Sequence, residues 1–287
     1  MQPRTDLAME AKTIYERSAQ EQTRLSGVIA REQTRRGVRM TVVKITSAEG
    51  EQALGKPRGT YITAELEALA RREQGSFAAA AHTLARALRE LLGPCRQALV
   101  VGLGNRDITP DAIGPEAVKN LIVTRHLQTS AEDALPGLMS VAACQPGVLG
   151  QTGFESLELV KGAMQTAQPD VVIVIDALAA AEPGRLFRTV QLSDSGIVPG
   201  SGVGNSRQEF SRRTLGVPVV AVGVPTVVDA YGLFRQAELE LDVPQGMLVT
   251  LRDVDARVRE MGRLVGYGCD LALHRGLSLG EIPTFLS

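Results

Sequence analysis

The chain has 287 residues, of which 44% are hydrophobic and 22% are charged, and its formal net charge is -1. This length can bury a large core, while the balanced charge and an aromatic content of 3% exclude a general nucleic-acid-binding protein, which needs basic and stacking side chains. An odd number of widely separated cysteines (Cys95, Cys144 and Cys269) argues against a disulfide framework and favours a reducing, cytoplasmic setting. An apolar leader and a membrane-length apolar run are both missing, so we expect no membrane partner.

The first part of the chain alternates between amphipathic and β-branched segments. Leu7, Met9, Ala11 and Ile14 fall near one side of a short helix that we expect to be exposed and easily frayed, because it lies close to the chain end. The elements predicted after it use strand and helix periodicity together with Gly and Pro breaks. They are a helix at Thr5–Ser18, a strand at Val38–Ile45, a loop at Gly50–Gly59, a short strand at Thr60–Ile62, and helices at Ala64–Arg72 and Phe77–Leu92.

The rest of the chain contains wholly apolar runs that are typical of strands buried on both faces, as in a parallel sheet. The predicted strands are Ala98–Val101, Val171–Ile175, Leu186–Leu192, Val217–Val224 and Gly246–Thr250. The predicted helices are Glu116–Leu127, Phe154–Thr166 and Asp253–His274, with a small connecting helix inside Tyr231–Pro244. This alternation predicts an α/β protein with three layers: a mostly parallel central sheet with helices on both faces, in a single domain preceded by an N-terminal arm.

Two carboxylates follow apolar strands, where an open α/β sheet gathers its functional groups. Asp176 comes directly after VVIVI, and Asp111 lies in the loop that follows ALVV. If the two strands are neighbours, the carboxylates meet at one edge of the sheet, where close like charges can share a proton and activate a water molecule. The alternative is that both residues cap helices, a position that Asp often occupies.

Other motifs carry weaker signals. Gly102-x-Gly104 lacks the third glycine spacing of a dinucleotide fingerprint, so we expect no nucleotide cofactor. The Asp194-Ser195-Gly196 triplet occurs once in a chain with little all-β character, and we interpret it as a loop. A Gly-rich stretch, Pro199–Asn205, could let the backbone approach a peptide substrate closely, or could be an ordinary surface loop. No His/Cys spacing indicates a zinc site.

Several stretches together resemble the germination protease family of spore-forming bacteria. They occur in the same order and span nearly the whole chain: RTDLAMEA at 4–11, VVGLGNRDITPDAIGP at 100–115, PGVLGQTGFES at 146–156, VVIVIDALAA at 171–180, VPGSGVGN at 198–205, GVPVVAVGVPTVVDA at 216–230 and LALHRGLSLGEIPTFLS at 271–287.

The resemblance implies a self-processing, aspartic-type endopeptidase with a fold similar to that of the hydrogenase maturation proteases. It implies a zymogen with a propeptide at 1–6, a peptidase domain at 7–287 and processing at the Asp6–Leu7 bond. By the family pattern, Asp111 and Asp176 are the active carboxylates, with Asp107 the nearest competitor, and no metal or other cofactor takes part. The resemblance also implies small acid-soluble spore proteins as substrates, a homo-oligomer that is a tetramer in the family, and a location in the forespore or spore core. Gly200, Ser201, Gly202, Gly204 and Asn205 are expected to border the substrate cleft.

Two other hypotheses stay open. In one, the chain is a metal-sensing maturation protease with Asp111 and Asp176 as ligands. In the other, it is a non-catalytic relative that binds spore proteins, because the segments 1–6 and 229–247 are shorter than those of the family.

Overall fold

The computed structural model describes residues 5–18, 25–127, 137–204, 207–236 and 246–286 of the chain. Strands and helices alternate along these ranges. The strands are β1 (Val28–Arg35), β2 (Val38–Ile45), β3 (Gly59–Glu65), β4 (Gln97–Gly102), β5 (Ser140–Cys144), β6 (Val171–Ala180), β7 (Thr189–Ser193), β8 (Val219–Asp229) and β9 (Leu248–Val249). The helices are α1 (Ala8–Ser18), α2 (Ala48–Leu54), α3 (Glu67–Ala70), α4 (Ser76–Leu92), α5 (Ile113–Lys119), α6 (Leu149–Thr152), α7 (Ser156–Ala167), α8 (Arg212–Leu215), α9 (Ala230–Gln236), α10 (Val254–Leu273) and α11 (Ile282–Phe285).

The described strands form one nine-stranded sheet with a parallel part and an antiparallel part. The order across the sheet is β1-β2-β3-β7-β8-β6-β4-β5, with β9 paired to β8. Strands β5, β4, β6 and β8 are parallel to one another, whereas β7, β3, β2 and β1 continue the sheet in antiparallel pairs. The predicted α/β class is confirmed, and the β4–β6 pairing places the strand that contains Asp176 beside the strand that precedes Asp111.

Helices cover both faces of the sheet and create two apolar layers. Helices α4, α5 and α10 bury their apolar sides in the larger layer, against residues such as Val100, Ile173 and Val222. The α7 residues Leu157 and Val160 pack on the opposite face with alternate residues of β4 and β6. Because both faces are covered, β6 and β8 are buried along nearly their whole length, as their apolar sequences predict.

Some predicted boundaries were wrong for identifiable local reasons. Strand β1 was missed because its sequence VIAREQTR is largely exposed and shows little alternation. The predicted loop at Gly50–Gly59 contains most of α2, which the Ser47 hydroxyl caps by accepting from the Gly50 N–H at 3.2 Å and which ends at Gly55 with a φ of 60°. Helix α5 starts earlier and ends at Lys119, well before the predicted Leu127. The 237–244 part of the predicted Tyr231–Pro244 connection lies outside the described residues.

A buried carboxyl group lies on α10, at Asp270. Its Oδ1 accepts a hydrogen bond from the Ile122 N–H at 2.9 Å, whereas Oδ2 has no partner among the described residues. Burial raises the pKa of Asp270 to about 7, and the Ile122 hydrogen bond opposes this shift. The folded state therefore keeps a proton on Asp270 at pH values where the unfolded chain, with a carboxyl pKa near 3.8, has released it.

We expect this proton to make stability pH-dependent. Because the folded pKa of Asp270 is the higher one, the free energy of unfolding falls as the pH rises from about 4 to about 7, by about 1.4 kcal/mol per unit of pKa difference. An Asp270→Asn variant keeps the acceptor for Ile122 but lacks this titration. Urea denaturation should show that the free energy of unfolding of the variant, relative to that of the parent, is higher at pH 8 than at pH 5. An identical stability difference at both pH values would contradict this assignment.

Candidate active site

The loop after β4 places Asp111 beside the sheet edge. It passes through Gly104, which has a φ of 108°, and reaches a 3₁₀ turn at Thr109–Asp111 directly before α5. The Asn105 N–H donates to Asp111 Oδ2 at 2.6 Å, which fixes the carboxylate over the loop. Close backbone contact requires glycine here, since a Cβ on Gly104 would lie 1.9 Å from the Asp111 carbonyl oxygen. Gly102 and Gly114 are also in close backbone contact, and a Cβ on either would collide with backbone atoms at or next to the other. The glycines therefore let α5 pack tightly against β4.

Asp176 lies within β6, since the strand continues beyond VVIVI to Ala180. The side chain is 5% exposed, and its Oδ1 accepts from the Ala177 N–H at 2.9 Å. Its position in the register is opposite Gly223 of β8. Among the described contacts, neither Asp176 nor Asp111 accepts a hydrogen bond from an N–H of the helix that follows it. These contacts therefore do not support the alternative in which both residues cap helices.

Both carboxylates line one cavity of about 410 Å³, together with Asp6 of the N-terminal arm. Burial, and then the neighbouring carboxylates of Asp111 and Asp6, raise the pKa of Asp176 well above its usual range, although the Ala177 hydrogen bond opposes this. Burial also raises the pKa of Asp111, and the Asn105 N–H partly offsets that effect. Burial and mutual repulsion of this kind disfavour the state in which both carboxyl groups are ionised.

The N-terminal arm, Thr5–Ala11, is docked against the end of β6. The Asp6 N–H donates to the Ala179 carbonyl at 2.9 Å, and Asp6 Oδ2 accepts from the Ala179 N–H at 2.8 Å. The Ser201 hydroxyl donates to Asp6 Oδ1 at 2.8 Å. Gly202 permits this approach, since a Cβ there would lie 2.1 Å from Asp6 Oδ2. The carboxylate of Asp6 is therefore held by donors from two separate segments of the chain.

The residues that follow Asp6 are buried. Leu7 and Ala8 are fully covered, which corrects the expectation of an exposed, easily frayed segment. Glu10 is also buried and accepts from the Ala181 N–H at 2.7 Å, the Glu182 N–H at 3.1 Å and the Thr5 hydroxyl. The Lys56 ammonium donates to the Thr5 carbonyl at 3.0 Å. Desolvation lowers the pKa of Lys56, while the acidic groups of Asp6 and Glu10 favour its charged form.

A second cavity, of about 460 Å³, also borders the docked arm. It is lined by Lys56, Gln191 and Ser201 among others, and it shares Asp6, Leu178 and Gly202 with the cavity that contains Asp111 and Asp176. Asp6 is thus the arm residue that lines both cavities, whereas Thr5 and Ala11 line only the second.

The predicted cleft residues are divided between these cavities. Gly200 and Gly202 line the one with the aspartate pair, and Ser201 and Gly202 line the other. Gly204 ends a 3₁₀ turn with a φ of 75° and is not among the lining residues of either cavity. Asn205 lies outside the described residues. The Asp194-Ser195-Gly196 triplet is a loop as predicted, in which Asp194 accepts from the Thr60 N–H at 2.6 Å.

The groups that hold the arm were not predicted from the sequence. Lys56 lies in the segment predicted as a plain loop, and Ala181 and Glu182 contribute backbone N–H groups that leave no sequence signal. Gln191 gave one usable signal, because it is a polar residue between the apolar Val190 and Leu192 of β7 and is buried there.

Neither a membrane-spanning helix nor a cluster of metal ligands occurs within the described ranges. None of the helices there combines the length and apolar character needed to cross a membrane. Across the same residues, no group of three or more His, Cys, Asp or Glu side chains is arranged to hold a metal ion.

Comparisons with known proteins agree on the family. The family model Peptidase_A25, described as germination protease, matches residues 6–238. The germination protease of Caldanaerobacter subterraneus subsp. tengcongensis is 38% identical, with 99% of this chain and 98% of that protein covered. The Clostridium perfringens germination protease is 36% identical, covering 99% of each chain. The Priestia megaterium germination protease is 44% identical over 80% of this chain and 64% of that protein.

A solved structure gives a more distant match. The [NiFe] hydrogenase maturation protease HycI from Thermococcus kodakarensis is 14% identical, with 63% of this chain and 97% of that chain covered and a TM-score of 0.35.

The sequence matches define the chain as a peptidase of the α/β class. It belongs to the germination protease family, since the family model covers most of its length and relatives more than 30% identical cover nearly all of it. The resemblance to the germination protease family that the sequence motifs indicated is therefore confirmed.

Proposed function

We propose that this germination protease is an aspartic-type endopeptidase that cuts small acid-soluble spore proteins in the forespore or spore core and processes its own arm at Asp6–Leu7. One observation carries the proposal. A segment with the predicted recognition pattern, Asp6 to Glu10, begins at Asp6, which lines two cavities, one of which contains the buried Asp176 and the half-buried Asp111. A homo-oligomer, a tetramer by family likeness, is part of the same proposal.

Asp111 and Asp176 would share the proton transfers. Asp176 is the more deeply buried group, and the neighbouring acids add to the rise of its pKa, so it is the favoured site for the shared proton. Asp111 is half-buried and is the favoured base for a water molecule. The water oxygen attacks the peptide carbonyl carbon while Asp111 accepts a proton from the water and Asp176 protonates the carbonyl oxygen. When the carbon–nitrogen bond breaks, Asp176 takes its proton back from the gem-diol and Asp111 passes its proton to the leaving amine, which restores the pair. A pair of this kind predicts a bell-shaped pH dependence of kcat/KM.

The docked arm has the features of a substrate held in cis. Its Asp6 and Glu10 carboxylates each accept donors from the cleft wall, and Leu7 and Ala8 fill buried positions between them. A spore protein that carries an acid-apolar-Ala-x-Glu segment would use the same donors once residues 1–6 have been removed and Leu7 to Glu10, which stay attached to the chain, have moved out of the cleft. While the arm stays docked it occupies this path, which is the basis of the proposed zymogen state.

The direct test is cleavage of a purified small acid-soluble spore protein, with the cut mapped by mass spectrometry. We expect one dominant cut, on the carboxyl side of an acidic residue that precedes an apolar residue and Ala. Binding of the spore protein without any turnover would favour the non-catalytic alternative instead. Cleavage that a strong chelator abolishes and a metal restores would favour the maturation-protease alternative.

The anchoring of the arm gives a separate prediction. Gln at position 10 retains one acceptor oxygen where the carboxylate offers two, so Glu10→Gln leaves a buried donor unpaired, at a cost of about 1–3 kcal/mol. Amide hydrogen exchange at Asp6–Ala11 should then be at least several-fold faster than in the parent. Glu16→Gln is the matched control, since Glu16 is on the same helix but exposed, in an ion pair with Lys12 at 2.6 Å. Equal exchange in Glu10→Gln and Glu16→Gln would show that Glu10 does not anchor the arm.

A further inference from the structure

The side chain of Gln191 spans the predicted Asp6–Leu7 bond. Its Nε2 donates to the carbonyl oxygen of Asp6 at 3.0 Å, and its Oε1 accepts from the N–H of Ala8 at 2.8 Å. A carbonyl accepts only and an N–H donates only, so these two partners fix the orientation of the amide group. Gln191 itself is 8% exposed, so both contacts lie in a largely dehydrated setting.

The sheet register relates Gln191 to the aspartate pair. Gln191 of β7 and Asp176 of β6 are both opposite Gly223 of the intervening strand β8. Residues in register on adjacent strands direct their side chains to the same face, and two strand spacings amount to roughly 10 Å. The amide of Gln191 and the carboxyl of Asp176 therefore lie on one face of the sheet, on either side of Gly223 and of the Leu178 side chain that covers it. The Gln191 amide binds the carbonyl of Asp6.

The two hydrogen bonds of Gln191 recognise main-chain groups of the arm and not its side chains. Asp6 lies in a bend and Ala8 is the first residue of α1, so the arm turns here and is not an extended strand. The Gln191 amide bridges the two main-chain groups on either side of Leu7, the Asp6 carbonyl and the Ala8 N–H. Because it contacts no arm side chain through these bonds, the same pairing is open to any peptide that lies in the cleft as the arm does.

We infer that Gln191 is a further catalytic residue, which holds the peptide carbonyl under attack and stabilises the negative charge that develops on its oxygen. This inference rests on the proposed function of the cleft. In the reaction the water oxygen bonds to the carbonyl carbon and the carbon–nitrogen bond breaks. All proton transfers involve the aspartate pair, and Gln191 donates a hydrogen bond without losing its proton. A preorganised side-chain donor to such an oxygen contributes about 10²-fold to 10³-fold in rate.

The test uses the full chain and two substitutions. Gln191→Leu removes both hydrogen bonds, and Gln191→Glu keeps an acceptor but can donate to the carbonyl only when its carboxyl group is protonated. Gln33→Leu is the matched control, since Gln33 lies on the distant edge strand β1. Two readouts are followed: loss of residues 1–6 by intact mass, and cleavage of a synthetic peptide with the sequence of residues 1–18. Thermal unfolding is measured for every variant.

We expect Gln191→Leu to slow both reactions by about 10²-fold to 10³-fold, mainly in kcat, while Gln33→Leu follows the parent. The rate of Gln191→Glu relative to the parent should rise as the pH falls, which a purely structural role would not produce. A folded Gln191→Leu variant that cuts within threefold of the parent rate would overturn the inference and leave the proposed function standing. A parent that cuts neither its arm nor the peptide would overturn both.

Discussion

Replacing either carboxyl group of the pair should abolish peptidase activity without unfolding the protein. Asp176→Asn and Asp111→Asn each leave a side chain of nearly the same shape that can no longer exchange a proton with water, so we expect kcat/KM to fall by at least about 10³-fold. Asp176→Asn should also be as stable as the parent or more so, because burial already disfavours the charged form of Asp176. Peptide cleavage and thermal unfolding of each variant check both parts.

Asp107→Asn is the control for this prediction. Asp107 belongs to the same loop as Asp111, but it is exposed and accepts a hydrogen bond from Gln151 at 2.9 Å. It lines neither of the two cavities beside the arm. We expect its variant to retain activity near that of the parent. Loss of activity in Asp107→Asn together with activity in Asp111→Asn would assign the base to Asp107 instead.

The second large effect is expected at Gly104. An alanine there would place its Cβ 1.9 Å from the Asp111 carbonyl oxygen, in a backbone conformation with a φ of 108° that L-residues disfavour. The strain and the overpacking together should cost about 2–5 kcal/mol of unfolding free energy. The loop must move to relieve the contact, and Asp111 moves with it. A displacement of about 1 Å is enough to slow the reaction by about 10²-fold.

Gly150→Ala provides the comparison for Gly104→Ala. Gly150 lies in α6, next to the cavity residues Val148 and Leu149, but a Cβ on it would meet no atom within 4 Å. We expect its stability and activity to match those of the parent. Denaturant unfolding and peptide cleavage of the two variants measure the difference. A Gly104→Ala protein with parental stability and activity would mean that the β4–α5 loop tolerates the contact and does not hold Asp111 in place.

The sequence was sufficient for the parts of the fold that have a strong pattern. VVIVI and ALVV are apolar on both faces, so they predicted buried strands, and the two carboxylates that follow them were expected together if those strands were neighbours. The pairing of β4 with β6 meets that condition. The family resemblance selected the same residues, and the structure places both beside one cavity. Strand β1 could not be found in this way, because an exposed edge strand needs no apolar alternation.

The docking of the arm could not be predicted from the sequence. Leu7, Ala8 and Glu10 read as the first turns of a frayed terminal helix, yet long-range partners bury all three. Those partners include backbone N–H groups at Ala181 and Glu182 and one amide at Gln191, far along the chain. A contact that depends on backbone groups carries no residue preference, and the pairing of two distant segments depends on the completed sheet.

The most direct test of the account is the intact mass of the purified chain over time, at mildly acidic and at neutral pH, beside an Asp176→Asn variant. We expect the parent to lose residues 1–6, with Leu7 as the new first residue, and the variant to keep its full mass. This result would establish self-processing at Asp6–Leu7 and its dependence on the aspartate pair. Loss of the same segment at the same rate in Asp176→Asn would contradict the proposed catalytic site.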